Sequence, residues 1–179
     1  MKNDQGLVSA VTSNVITVAC STCATNNYGD PNALNYVEFA TGQGVGRYFA
    51  VQTNDATTIT LSVGTENLTA LGSGGAVQAG DRYVIRPFWR IADIFGSAAT
   101  TPLKAASSGA AADNILYFDS TAQGYQTIFP RISAGATNWF QVGLGVVNNL
   151  PILPDEAMFV LRRGTSPATN IILVGEVAV

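Results

Sequence analysis

The sequence predicts an all-β protein, either an antiparallel sandwich or small β-barrels, with about eleven short strands. Segments rich in β-branched and aromatic residues recur at intervals of about 8–15 residues, and Gly, Pro, Asn and Asp separate them. Within several segments apolar and polar residues alternate, as in a strand with one buried face. Hydrophobic residues make up 47% of the 179 residues and charged residues only 12%, which is enough apolar material for a compact core.

The first half of the chain begins with a predicted hairpin, whose two strands flank a Thr-Ser-Asn turn. Further on, Val37 and Phe39 alternate with Tyr36 and Glu38, which indicates one buried and one solvated face. Pro87 ends the last strand of this half, because proline has no amide hydrogen to donate to a central ladder. The predicted strands are residues 7–11, 15–19, 35–39, 47–52, 57–63 and 80–86.

One short segment near residues 89–95 departs from the period of two. Ile91, Ile94 and Phe95 follow the spacing of one helical face, and Gly96 supplies a C-terminal stop. We therefore expect a single helix of one or two turns at this position.

The second half begins with a low-complexity stretch of Ala, Ser, Thr and Gly over residues 97–113, which is typical of a linker or a long surface loop. We expect one all-β domain over residues 1–179. Two sub-halves, 1–96 and 114–179, joined by the loop 97–113, stay open as an alternative, since residues 81–86 and 156–162 resemble each other. The predicted strands are residues 114–119, 125–129, 138–142, 157–163 and 170–179.

Composition argues against several classes of function. The chain has no His, which removes Ser-His-Asp and Cys-His catalysis and imidazole metal ligands. A net charge of −3 gives no basic surface for a nucleic acid, and no apolar stretch is long enough to span a membrane. We expect no cofactor. The first residues hold no apolar core of a signal peptide. Two interpretations therefore stay open: the protein is not exported, or its leader was removed.

Cys20 and Cys23 form the one motif that suggests redox or metal chemistry. A zinc site needs about four ligands, and two thiols without imidazole do not supply them. A thioredoxin-like pair would begin a helix, whereas this pair follows a predicted strand. We expect a structural disulfide, within the chain or between subunits, and free thiols are the alternative.

The acidic residues do not predict a catalytic pair. Asp155 and Glu156 are adjacent, and neighbouring side chains of a strand point to opposite faces. A calcium site built from loop carboxylates is an alternative without ordered ligand spacing. Arg162 and Arg163 are expected to lie over apolar surface or to pair with an acid. The acids expected to cap turns and strand ends are Asp30, Asp55, Asp81, Asp113 and Asp119.

Four aromatic residues could stack on sugar rings: Trp89, Tyr125, Trp139 and Phe140. Trp89 adjoins an apolar half-turn, and Trp139 and Phe140 lie in a predicted strand. Core packing is therefore the favoured interpretation, and glycan binding is the alternative.

The C-terminal segment is strongly apolar and β-branched and contains only one charged residue, Glu176. Such a strand can be buried on both faces of its own sheet, or it can add to the sheet of a neighbouring subunit. We favour the second interpretation. The residues of this predicted assembly strand are Ile171, Ile172, Leu173, Val174, Val177 and Val179.

The order of the strand segments resembles a known family. Residues 35–39, 46–49, 58–61, 80–89 and 156–163 resemble a group of uncharacterised exported proteins of verrucomicrobial bacteria. The resemblance implies an extracellular or cell-surface location, and it carries over no catalytic residue, because the family has no assigned activity. The hairpin of residues 46–49 and 58–61 also resembles small β-barrels of phage tail and fibre proteins, which keeps a virion component open.

These observations together predict a non-enzymatic structural subunit of an extracellular or particle surface. Its partners are expected to be copies of itself, paired through β-strand edges into a filament or layer. A carbohydrate-binding or adhesive module and a virion structural protein are the alternatives. A hydrolase with two carboxylates is a further hypothesis, for which a pocket with two acids of raised pKa would be the mark.

Overall fold

The computed structural model describes residues 4–19, 27–29, 34–72, 75–119, 122–154 and 156–163. These residues form thirteen strands and one short helix, so the predicted all-β class is confirmed. The chain divides into two compact units, Met1–Phe88 and Trp89–Val179. The division falls after Phe88, and residues 97–113, expected as a linker between halves, belong to the second unit.

The first unit is a closed six-stranded barrel in which every pair of neighbours is antiparallel. Its order is β1-β2-β5-β4-β3-β6, and β6 pairs with β1 to close the ring. Strands β3, β4 and β5 form a meander that returns beside β2, which is a Greek-key arrangement. The bounds are β1 (Asp4–Val11), β2 (Val15–Val18), β3 (Asn35–Phe39), β4 (Tyr48–Asn54), β5 (Thr58–Ser62) and β6 (Arg82–Pro87).

Alternating side chains of these strands fill the barrel. In β3, Val37 and Phe39 are buried and their neighbours are half-buried, as the alternation predicts. Both β4 and β5 repeat this pattern, because successive strand residues point to opposite sides of the barrel wall. The fully buried residues include Ile16, Val37, Phe39, Ile59 and Leu68.

Two connections between strands of the barrel are fixed by particular residues, Asp55 and Gly42. Asp55 accepts hydrogen bonds from the backbone amides of Thr57 and Thr58, both at 2.7 Å, and so caps the turn between β4 and β5. Gly42, in the β3–β4 connection, has a φ of 78°, and a Cβ atom there would collide with the Asp81 carboxylate. Only glycine can adopt this positive φ without strain and also leave room for the Asp81 carboxylate.

The second unit contains an antiparallel five-stranded sheet of order β11-β10-β9-β8-β13. Strands β7 and β12 pair separately, and the helix α1 follows β7. The predicted helix is confirmed: the Asp93 carboxylate accepts the Arg90 amide at 2.8 Å at its start, and Gly96, with a φ of 78°, follows its end. The bounds are β7 (Trp89–Arg90), α1 (Ile91–Phe95), β8 (Asn114–Asp119), β9 (Gly124–Ser133), β10 (Ala136–Gln141), β11 (Gly145–Val146), β12 (Pro151–Ile152) and β13 (Met158–Leu161).

The low-complexity segment 97–113 is an integral part of the second unit. Ala98, Leu103 and Ala112 are buried in it. The amide of Ala106 donates to the carbonyl of Pro130 at 3.2 Å, and the carbonyl of Ala106 accepts the amide of Ile132 at 3.0 Å. The segment thus extends the sheet alongside the end of β9. Small side chains suit this close approach, which explains a composition that otherwise indicates a linker.

Candidate functional site

The register of the five-stranded sheet divides its residues between two faces. Ile115 lies opposite Ile128, and Tyr117 lies opposite Met158, so these four side chains share one face. This inner face forms the core of the second unit with α1 and the loops around it. The buried residues of that core are Ile91, Phe95, Ala98, Leu103, Ile115, Ile128, Trp139, Val147 and Ile152.

Trp139 belongs to the inner face and is completely buried. Its indole nitrogen donates to the carbonyl of Gly96 at 3.0 Å, and its ring meets Phe95 edge-on with centroids 6.3 Å apart. A side chain in this position cannot stack on a sugar. The core-packing interpretation of Trp139 is therefore correct.

The opposite, outer face carries three exposed aromatic rings, which we call the aromatic row: Phe118, Tyr125 and Phe159. Their exposed fractions are 45%, 60% and 56%. Tyr125 meets Phe118 edge-on with centroids 5.5 Å apart, and it meets Phe159 in the same way at 6.1 Å. The register places Leu116 opposite Phe159 on the same face. The outer face of β8 and β13 is thus apolar and uncharged where the three rings gather.

Across β9 and β10 the outer face also carries aromatic rings, but here they contact an arginine and are partly covered. Phe129 and Phe140 are paired edge-on with centroids 5.6 Å apart, and the Arg131 guanidinium lies 4.3 Å above the centre of the Phe140 ring. Phe129 is buried against Gly109 of the segment 97–113. This part of the face is therefore partly covered, and the exposed apolar surface lies toward β13.

Among the described strands, β13 is the last in the order of the sheet. Within the described residues its neighbour in the sheet is β8, and the flank away from β8 carries no strand. Phe159, Val160 and Leu161 are exposed by 56%, 38% and 40%, and none of the four residues of β13 is charged. An edge strand presents unpaired amide and carbonyl groups, and charged residues or proline normally protect it. Strand β13 has neither.

The end of β13 is held by a buried carboxylate. Asp113 is completely buried; its Oδ1 accepts the Arg163 amide at 2.6 Å, and its Oδ2 accepts the Lys104 amide at 2.9 Å. The Arg162 Nε atom lies 2.8 Å from Oδ2 as an ion pair, so the expected pairing of Arg162 with an acid is confirmed. We call these four residues the Asp113 anchor.

Burial raises the pKa of Asp113. The hydrogen bonds from the amides of Arg163 and Lys104 and the charge of Arg162 together lower this pKa by more than burial raises it. The net pKa therefore lies below the ordinary value of an aspartate, and the carboxylate is ionised at neutral pH. A raised pKa would mark a general acid, and Asp113 shows the opposite direction. Its role is to hold backbone in place.

Three other described acids, Asp55, Asp119 and Glu156, accept hydrogen bonds from residues two or three positions away. Hydrogen bonds from Thr57 and Thr58 lower the pKa of Asp55 to about 2. Asp119 accepts the Ala122 amide at 3.0 Å, and Glu156 accepts the Leu153 amide at 3.2 Å. In the part of the chain that the structure describes, no three acidic or cysteine side chains gather to hold a metal ion. Asp30 and Asp155 lie outside the described residues.

Two other predicted sites lie outside the described residues. These are the pair Cys20 and Cys23 and the whole assembly strand, Ile171, Ile172, Leu173, Val174, Val177 and Val179. Both stay predictions. Among the described residues, no helix has the length and apolar character needed to cross a membrane.

Comparison of the chain with protein-family models, with curated proteins and with solved structures finds no match. The resemblance to exported verrucomicrobial proteins and to phage barrels accordingly stays a prediction.

The sequence pattern missed the aromatic row as a unit. Residues 115–118 are all apolar, so their pattern does not tell which side chains face the core. The sequence pattern marks Tyr125 as a candidate sugar-stacking residue but does not mark Phe118 or Phe159. Their position follows only from the register of β8 with β9 and β13, which brings together residues more than 40 positions apart.

Proposed function

We propose that the protein is a non-enzymatic structural subunit of an extracellular or particle surface, and that it self-assembles through β-strand edges into a filament or layer. The observation that carries this proposal is the edge strand β13, with its three exposed apolar side chains and no charge. The virion is the alternative location of such a subunit.

The physical basis is the pairing of backbone groups across subunits. Alternate residues of an edge strand direct their amide and carbonyl groups away from the sheet, where a strand of another subunit can satisfy them. The same pairing covers Phe159 and Leu161 on one face and Val160 on the other, since successive side chains alternate. Burial of apolar surface contributes roughly 25 cal/mol per Å² to such an association.

The two edges of the sheet are not equivalent. The far edge is formed by β11, which has only two residues, Gly145 and Val146. A strand of this length offers few backbone groups to a partner. Strand β13 is twice as long, so pairing is expected there.

A charge placed on the edge of β13 tests the proposal. We expect the wild-type chain to show a mass that rises with concentration in sedimentation velocity experiments. Val160→Lys should shift it toward the monomer, because pairing would bury an ammonium group. Val45→Lys is the matched control: Val45 is exposed by 61% in the barrel unit and lies outside any strand, so its assembly should match wild type.

Circular dichroism of both variants establishes that each keeps its β structure. A wild-type chain that stays monomeric at every concentration would contradict the proposal. Equal assembly of the wild type and Val160→Lys would show that β13 is not the edge involved.

A carbohydrate-binding or adhesive module is the second candidate, and the aromatic row is the observation that favours it. Tyr125 is exposed by 60%, and aromatic rings exposed on a sheet can stack on sugar rings. We expect Tyr125→Ala to abolish binding on a glycan array. Trp89→Ala, which changes an aromatic residue outside the five-stranded sheet, should leave that binding unchanged. A wild-type chain that binds no glycan would remove this candidate.

A further inference from the structure

We propose that the hairpin between β10 and β11 inserts its exposed apolar side chains into the surface of a phospholipid bilayer. These side chains are Val142, Leu144 and Val146, and we call residues 142–146 the apolar hairpin. The inference goes beyond the proposed self-assembly and does not depend on β13. It rests on the exposure of the hairpin, on its lack of charge and on the position of Arg131.

The apolar hairpin exposes three large side chains within five residues. Val142, Leu144 and Val146 are exposed by 57%, 67% and 62%. Within the described residues, Leu144 is the most exposed of the large hydrophobic side chains. Neighbouring apolar residues that are exposed together mark a surface that contacts another protein or a membrane.

The backbone of the hairpin is suited to an apolar environment. The Val142 amide donates to the Thr127 carbonyl at 3.1 Å. The Leu144 amide donates to the Gln141 carbonyl at 3.2 Å. Residues 139–154 include no charged residue. Because hydrocarbon offers no hydrogen-bonding partner, a backbone that is already bonded within the chain enters it at lower cost.

The size and chemistry of the hairpin favour a bilayer over a protein partner. A specific protein interface takes roughly 20–30 residues from each side and about ten direct hydrogen bonds. The apolar hairpin offers three side chains, and two of its amides are already bonded within the chain. A fluid apolar phase requires neither a complementary shape nor polar partners, so it fits this segment better.

Arg131 lies on the same face, set back from the hairpin. Its guanidinium is 4.3 Å from the centre of the Phe140 ring, and Phe140 precedes Val142 by two residues, roughly 7 Å of extended chain. Apolar faces of interfacial segments sit about 5–10 Å into the boundary between headgroups and acyl chains. A guanidinium set back by this distance reaches the phosphate layer, and phosphate is a preferred partner of arginine. No ion pair among the described residues includes Arg131.

Tyr125 adds an amphipathic ring at the same end of the sheet. Val142 lies beside Thr127 of β9, and Tyr125 is two residues from Thr127 on the same face. Tyr125 is exposed by 60%, and tyrosine is enriched where membrane and water meet.

Flotation with vesicles of pure phosphatidylcholine tests the inference. We expect the wild type to float with the vesicles. Leu144→Asp should bind them about tenfold or more weakly, because a carboxylate replaces an inserted apolar side chain. Val45→Asp is the matched control: Val45 is exposed by 61% in the barrel unit and, like Leu144, stands between two glycines. It should float like the wild type, and circular dichroism establishes that both variants keep their β structure.

A tryptophan at the tip of the hairpin measures insertion directly. We expect the fluorescence of Leu144→Trp to be quenched by phosphatidylcholine brominated on its acyl chains. Val45→Trp should be quenched no more than the wild type.

A wild type that stays free of the vesicles at every lipid concentration overturns the inference. Equal flotation of the wild type and Leu144→Asp also overturns it, and so does an equal loss in the two aspartate variants, because the hairpin is then not the contact. If no form floats and Leu144→Asp changes the sedimentation of the protein without lipid, the hairpin contacts protein instead.

Discussion

Replacing Asp113 by asparagine tests whether the buried carboxylate holds the second unit together. The carboxylate accepts two backbone amides, from Lys104 and Arg163, and pairs with Arg162. Asparagine keeps the shape of the side chain and one acceptor oxygen. Its NH₂ group, however, stands against either an amide donor or the arginine, so one charged hydrogen bond and the ion pair are lost.

The magnitude follows from the burial of the two partners. Breaking a fully buried ion pair costs about 3–5 kcal/mol, and losing a hydrogen bond to a charged group costs about 1.5–3 kcal/mol. The Arg162 side chain is 31% exposed and can regain water, which reduces the first cost. The two costs describe the loss of the same charge and do not add, and asparagine keeps one acceptor oxygen, so we expect Asp113→Asn to lower the free energy of unfolding by about 2–3 kcal/mol.

Urea unfolding followed by tryptophan fluorescence measures this loss, because both tryptophans, Trp89 and Trp139, lie in the second unit. Asp93→Asn is the matched control: this exposed carboxylate accepts the Arg90 amide, and asparagine can accept it too. Its expected effect is below about 0.5 kcal/mol.

The pH dependence of the stability of wild type and Asp113→Asn tests whether the charge of Asp113 causes the difference. Because the pKa of folded Asp113 is lowered from 3.8, its stabilisation is complete above that pH and is lost as the pH falls through the folded-state pKa. The stability of the wild type should therefore approach that of Asp113→Asn in acid. A difference that does not depend on pH would refute the role of the charge, and an effect no larger than that of Asp93→Asn would refute the role of burial.

Three further outcomes follow from the structure. Gly42→Ala should lower the thermal midpoint of the barrel unit, seen by circular dichroism, because φ is 78° and the new Cβ meets Asp81; Gly64→Ala, with a φ of 60° and open space around it, should lower it less. Trp139→Phe should lower the free energy of unfolding in urea by about 2–3 kcal/mol through lost volume and the lost bond to Gly96, and an unchanged urea midpoint would contradict its buried position. Asp55→Ala should destabilise the barrel at neutral pH but not below the pKa of about 2, and a loss that persists in strong acid would exclude the carboxylate caps as its cause.

The local elements could be predicted because their signals are local. Alternation, helical spacing and turn residues predict four of them: the first hairpin, the strands of residues 35–39 and 114–119, and the helix that ends before Gly96. Strand β9 was predicted too short. It continues through Pro130 to Ser133, and the segment 97–113 lies beside its end.

The remaining features depend on contacts between distant residues. Closure of the barrel requires β6 to pair with both β1 and β3, and no local pattern specifies this pairing. Asp113 was expected only as a cap at a strand end. Its burial depends on Arg162 and Arg163, which lie about 50 residues further along the chain. The candidate surface on β13 was likewise predicted as a strand but not as an edge.

The different closure of the two sheets has a mechanical consequence. In the barrel, β1 is held between β2 and β6, so a force on this strand must shear two ladders at once. Among the described residues of the second unit, β13 pairs with β8 alone, so a force on β13 works there against one ladder and the contacts to Asp113. Under tension we expect the open sheet to peel apart while the ring remains intact.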